Sequence, residues 1–199
     1  MLPLIVEVTG RRVLVVGGGM VGLRKAAQLV DEGAVVTIIA TEVLGPVPDG
    51  VAEVLVRPFS PGDLEGFVFV VAATANGEVN DLIEAEARER STLINVVDDL
   101  TRGDTYFAAL HRQGDVIVAV STSGSAPALA QYVRDQIAAA LPEHLGETAA
   151  LLRAEREALH QAGVSTEHRS WADSITAALR AGAQLHSERN SDNSDGDSL

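Results

Sequence analysis

Gly17, Gly19 and Gly22 stand at the G-x-G-x-x-G spacing inside VLVVGGGMVGLRK (13–25). That spacing asks for a tight turn, a close approach of backbone to a pyrophosphate, and a helix packed hard on a strand. A helix that starts at such a turn aims free N–H groups and its positive dipole end at whatever sits on the glycines, which favours a phosphate. Asp98 and Asp99 end a second run, INVVDD (94–99). A carboxylate there can take or position a proton while hydride leaves for a bound nicotinamide, and one of two adjacent aspartates is expected to cap the following turn. A third polar group, Ser121-Thr122-Ser123-Gly124-Ser125, precedes a helical run.

These residues need elements to hold them. The apolar run 13–16 reads as a strand buried on both faces, 23–30 as the helix after the turn, Gly33 as its C-terminal cap, and 35–40 as the second strand. Further strands are expected at 51–56, 67–73 and 93–97, with a helix over 78–90 whose Val79, Leu82, Ile83 and Ala87 share one face. The run 2–8 reads as a segment laid against the sheet edge. Strands and helices alternating in this way imply an α/β fold, a doubly wound parallel Rossmann-like sheet.

In such sheets ligands collect at the carboxyl ends of the strands. The residues there are the glycines, Thr41-Glu42, Thr74-Ala75-Asn76 and Asp98-Asp99. An acid at the end of the second strand suits the ribose of NAD, and an Arg there suits NADP. Residues 40–44 contain no Arg or Lys, so Thr41 and Glu42 are the ribose candidates and NAD is the expected cofactor.

Past residue 100 the pattern changes. Residues 105–110 and 116–120 suit a strand pair, and 126–141 is an amphipathic helix with Pro127 in its first turn. Helical stretches follow at about 144–161 and 167–180. The expected division is a nucleotide domain (1–100), a small dimerisation segment (101–141), a helical C-terminal domain (142–183) and an acidic tail (184–199) too polar to order.

Composition excludes several classes. A net charge of −13 and an aromatic content of 4% argue against nucleic acid as a partner. With no cysteine there is no disulfide, no Cys-ligated zinc and no thiol nucleophile. No metal site is read from the remaining residues. The N-terminal MLPLIVEVTGRR lacks the basic leader and cleavage pattern of a signal peptide, and no apolar run approaches the roughly 20 residues of a membrane span. The expectation is a cytoplasmic protein with no membrane partner.

Taken in order, LPL (2–4), the glycine run (13–25), VAAT (71–74), INVVDD (94–99), VAVSTSGSAPALA (118–130) and LPEHLG (141–146) resemble the family of precorrin-2 dehydrogenases, which includes the N-terminal part of siroheme synthases. The match runs over about residues 1–150. The resemblance implies NAD-dependent oxidation of precorrin-2 to sirohydrochlorin, for siroheme or a cobalt corrinoid. Met20, Val21, Thr41 and Glu42 fall where the family contacts the dinucleotide, and Thr74 lies with them at the strand ends. Asp98 falls on the family's catalytic acid. The family is a homodimer whose central segment exchanges contacts between protomers, and some members also insert iron with the same aspartate.

Precorrin-2 carries many carboxylates, which a protein of this charge repels at long range. Thr122, Ser123, Gly124 and Ser125, at the start of the helix near residue 126, are therefore expected to hold substrate. Arg102, His111 and Arg112 flank the same region in sequence, and Arg102 joins the substrate set. The family commonly reads S-G-G-x-S-P where this chain has Ser123-Gly124-Ser125-Ala126-Pro127, and Tyr106-Phe107-Ala108-Ala109 replaces a stretch that usually holds a proline. Two other classes remain open: an NAD-sensing regulatory module, and a different NAD-dependent dehydrogenase.

Overall fold

The computed structural model describes residues 2–99 and 101–194, with side chains through residue 187. The chain forms two compact units that divide between Tyr106 and Phe107.

In the first unit, β1 (Arg12–Gly18), β2 (Val35–Val43), β3 (Glu53–Val56), β4 (Phe69–Ala72) and β5 (Leu93–Val96) make one parallel sheet in the order β3-β2-β1-β4-β5. This is the expected Rossmann-like order. It reverses direction between β1 and β4, so the ligand crevice opens at the carboxyl ends of those two strands.

Alternation along β1 assigns the two faces. Val13 and Val15 pack with Leu23, Ala26 and Leu29 of α1 (Met20–Asp31), while Leu14 and Val16 pack with Ile83 and Ala87 of α2 (Gly77–Arg90). The connection from β3 to β4 carries no helix. Residues 57–68 cover that part of the sheet instead, with Phe59, Leu64 and Phe67 in the core. Glu86 of α2 fastens this loop by accepting the N–H groups of Gly62 at 3.0 Å and Leu64 at 3.4 Å.

The run 2–8 does not line a sheet edge. It joins no strand, and Val8 alone of its residues is buried. The first unit also extends past the expected boundary at 100, because β5 holds the returning chain. The carbonyl of Ile94 accepts the N–H of Asp104 at 2.9 Å and of Thr105 at 3.1 Å.

The second unit holds the antiparallel pair β6 (Ala109–Gln113) and β7 (Val116–Val120), then α3 (Pro127–Ala140), α4 (Leu145–Gln161) and α5 (Ala172–Ser194). The first of these strands starts later than expected, since Thr105 is tied to β5. The turn is the pair Gly114-Asp115, with Gly114 at φ +55°. Residues 184–194, expected to be disordered, continue α5, while 195–199 lie outside the described residues. Among the described residues, no helix is long and apolar enough to cross a membrane.

Candidate active site

The three consecutive glycines and Gly22 do different work. A Cβ on Gly17, at φ +125°, would stand 2.3 Å from the carbonyl oxygen of Ala73, just past β4. On Gly18 it would meet the Glu42 carbonyl at 2.2 Å, and on Gly22 the Gly17 carbonyl at 2.2 Å. These three glycines let β1, β2, β4 and α1 close on one another.

Gly19 is different. It has an ordinary extended backbone (φ −75°), and a Cβ there would meet no protein atom within 4 Å. The fold therefore does not require glycine at this position, whereas a pyrophosphate lying on the turn does. Gly19 is also the N-cap of α1. No side chain caps that helix, and no acidic residue stands in its first turn. An anion there meets open N–H donors and the positive dipole end without a competing carboxylate.

Beside the turn, a cleft of about 400 Å³ is lined by Met20, Val21, Leu23, Arg24, Pro46 and Pro48. Met20 and Val21 were expected at the dinucleotide, and the cleft brings them together. Leu23, Arg24 and the two prolines were not foreseen. The signal for the prolines was the breaker loop after β2, which folds back over α1. Thr41 and Glu42, near the end of β2, are exposed, and the Glu42 backbone lies against Gly18.

Thr74 is engaged locally. Its hydroxyl lies 2.8 Å from Asn80 Oδ1 and 3.0 Å from the Asn76 carbonyl, and Asn80 Nδ2 donates to the Thr74 carbonyl at 3.1 Å. Asn76 in turn caps α2, its Oδ1 accepting from the N–H groups of Glu78 and Val79. Thr74 thus ties the end of β4 to the start of α2.

The two aspartates after β5 separate cleanly. Asp99 Oδ1 accepts the Thr101 N–H at 2.9 Å and the Thr101 hydroxyl at 2.7 Å. Those bonds hold its carboxyl below the usual carboxylate range, the side-chain hydroxyl contributing most. Asp99 is therefore the residue that forms the turn. Asp98 is exposed, and its carboxylate makes no hydrogen bond among the described residues. Its backbone is left-handed, φ +62°, a region that a non-glycine residue enters at a cost of order 1 kcal/mol.

Arg102 faces α2. Its Nε donates to Glu84 Oε2 at 2.9 Å and a terminal nitrogen donates to Asp81 Oδ1 at 2.6 Å. These two carboxylates engage the guanidinium expected, from the sequence, at the substrate.

In the second unit, the turn before α3 is organised by Thr122. Its Oγ1 accepts the Ala126 N–H at 3.1 Å, and its carbonyl accepts the Ser125 hydroxyl at 2.6 Å and the Ser125 N–H at 3.0 Å. Ser125 therefore does not cap α3, and no side chain caps it at Ala126. Ser123 (φ +54°) and Gly124 (φ +79°) present two successive left-handed residues. His111 Nε2 lies 3.2 Å from Gln113 Nε2.

A fold of this order, with a glycine turn at the switch point and an acid after the outer strand, defines a dinucleotide-binding protein. Residues 4–109 match the family described as "Putative NAD(P)-binding", and residues 113–140 match "Sirohaem biosynthesis protein central". The chain belongs to the first of these families. NAD, the cofactor expected from the sequence, agrees with that family and with the cradle at Gly19.

Among curated proteins, the chain is 41% identical over 154 residues to the siroheme synthase of Pseudomonas entomophila (strain L48), covering 75% of this chain and 33% of that protein. It is 36% identical over 185 residues to siroheme synthase 2 of Aeromonas salmonicida (strain A449), covering 91% and 38%. The chain thus spans about a third of the length of these relatives. Among solved structures, "SirC, precorrin-2 dehydrogenase" shares the fold, with a TM-score of 0.70, 23% identity, and coverage of 94% of this chain and 100% of that one.

Proposed function

We propose that this chain oxidises precorrin-2 to sirohydrochlorin with NAD in siroheme synthesis. For the cofactor, the carrying observation is Gly19, the one glycine of the turn at which a Cβ would meet no protein atom within 4 Å. For the substrate, support comes from relatives named siroheme synthase and from the fold of a precorrin-2 dehydrogenase.

NAD, when bound, supplies the hydride acceptor. The backbone at Gly17 to Gly22 holds the pyrophosphate. Thr41 and Glu42 take the ribose, and Met20 and Val21 contact the dinucleotide from the cleft beside the turn. Thr74, just past β4, joins these residues in contacting the dinucleotide. Oxidation of the tetrapyrrole releases a proton alongside the hydride, and Asp98 is the residue to accept it, since its carboxylate is exposed while that of Asp99 is committed to Thr101. Thr122, Ser123, Gly124 and Ser125 bind substrate carboxylates at the uncapped start of α3.

The second unit supports a homodimer. A two-stranded sheet is marginal alone, and in α3 only Ala130 is buried. Phe107, Leu110, Leu129, Tyr132 and Ile137 are all exposed, a set of large apolar groups that a second copy would cover. Within this unit, residues 107–141 are the dimerising part and 142–194 the helical part. The setting is the cytoplasm.

The test is an anaerobic assay of NADH formation on adding precorrin-2. Production of sirohydrochlorin with NADH supports the proposal, and reduction of no NAD by precorrin-2 refutes it. Repeating the assay with Fe(II) or Co(II) reads whether the same aspartate also serves metal insertion.

A further inference from the structure

The loop that carries Asp98 is tied down at three places besides Asp99. At its far end, Ile94 accepts the Thr105 hydroxyl at 2.9 Å as well as two backbone N–H groups, and the buried Asn95 donates from Nδ2 to the Thr105 carbonyl at 2.6 Å. Next to this, Gly103 crosses β5 in a bridge to Asn95. At φ +79°, a Cβ on Gly103 would stand 2.9 Å from the Ile94 carbonyl.

Arg102 makes the third tie, and its side chain reaches a different element, α2. Its side chain is 20% exposed, and its partner Glu84 is 10% exposed. Glu84 receives Arg102 on one carboxylate oxygen and Arg88 on the other, at 2.9 and 2.6 Å, and also accepts the N–H of Gly103. Burial pushes the Glu84 carboxyl up, but these donors together hold it below the usual range. Asp81, one helical turn earlier, takes a terminal nitrogen, Nη2, at 2.6 Å. A carboxylate fully supplied with cationic donors in a largely buried position is a fixed anchor. What it anchors is a loop whose residue Asp98 sits in a backbone region that persists only when its surroundings impose it.

We infer that Arg102 is a positioning residue: by clamping the loop to Glu84 and Asp81 on α2, it holds Asp98 in its left-handed conformation at the mouth of the sheet. This rests on the reading of Asp98 as the proton acceptor proposed above. It assigns Arg102 to the acid rather than to the substrate. Without the clamp, the loop keeps its attachment to β5 but samples conformations in which the Asp98 carboxylate leaves its place.

The experiment compares the full chain with R102M, R102K, E84Q and D98N, by amide hydrogen exchange of residues 97–104 and by steady-state kinetics with precorrin-2 and NAD. R102M and E84Q should lose at least tenfold of the exchange protection in this loop. They should also lower kcat at least tenfold with KM for NAD within twofold. R102K, which keeps the charge without the fork, should recover part of both. The double variant R102M/E84Q should be no worse than R102M.

A merely structural arginine would lower Tm and leave the kcat of the folded protein unchanged, and that result overturns the inference, as does unchanged exchange protection. The two readings fail separately. Full turnover by D98N removes the acid and with it the purpose of the clamp. An inactive D98N beside a fully active R102M removes the clamp alone. If the unmodified protein does not turn over precorrin-2, the exchange result alone decides whether Arg102 fixes the loop.

Discussion

Asp99 closes its carboxylate on Thr101, 2.7 Å from the hydroxyl, and so leaves the neighbouring Asp98 as the aspartate with an exposed, unbonded carboxylate after β5. The pair predicts opposite phenotypes. D98A should abolish turnover while NAD affinity stays within a few-fold, because the proposed function has Asp98 act on the tetrapyrrole and not on the dinucleotide. D99A should lower Tm and keep a substantial part of kcat. Because the Asp99 carboxyl is held below its ordinary value in the fold, its contribution to stability is present above that ordinary value and fades as pH falls through the lowered one. An essential Asp99 beside a dispensable Asp98 would reverse the assignment.

The glycines predict a split between folding and binding. G19V should fold with a Tm within a few degrees of the unmodified protein and lose at least tenfold in NAD affinity, read by calorimetry. G22A should destabilise the protein even without cofactor, since its methyl would overlap the Gly17 carbonyl. Unchanged NAD affinity in folded G19V would make the whole turn structural.

Cofactor choice follows from the end of β2. An exposed Glu42, with no Arg or Lys in residues 40–44, leaves a 2′-phosphate facing a like charge. The ratio kcat/KM should favour NAD over NADP by at least tenfold, and E42Q should narrow that gap. Equal use of the two cofactors by the unmodified protein would contradict this, and Arg24, which lines the adjoining cleft, would then be the first residue to replace.

Lys25 predicts a pH dependence of stability. Burial, with the charge of Arg24 adding to it, pushes its ammonium from 10.5 down to about 8. Between these values the unfolded chain holds a proton that the folded protein has released, so this residue makes stability rise with pH over that interval. Below pH 8 the folded state bears the full penalty of charging it. K25M should therefore raise Tm at pH 7 and flatten the rise between pH 8 and 10. The same rise in K25M would place its source elsewhere.

Much of this was readable along the chain because parallel strands buried on both faces announce themselves as short apolar runs, as at Val13 to Val16, and because the glycine turn sits in a strand, turn, helix, strand context. The two aspartates could not be told apart by type or spacing. Their difference lies in a turn geometry set by Thr101 two residues on. Arg102 is a substrate candidate by sequence neighbourhood to the serine turn, and its ion pairs with Glu84 and Asp81, which span 18 and 21 residues, leave no trace in local spacing. Thr74 is a dinucleotide candidate because it follows a strand, and its bonds to Asn76, the cap of the following helix, and to Asn80 within that helix leave no trace in local spacing. Composition also misjudged 184–194, where polar residues with few apolar neighbours still extend the helix begun at Ala172.

The central claim is that this chain passes hydride from precorrin-2 to NAD. The most direct measurement is anaerobic titration of precorrin-2 into the protein with excess NAD, following NADH and the tetrapyrrole spectrum together. The account predicts NADH in equimolar amount with sirohydrochlorin, lost in D98A and in G19V. Sirohydrochlorin formed without NADH, or no conversion by a protein that binds NAD tightly, would contradict it.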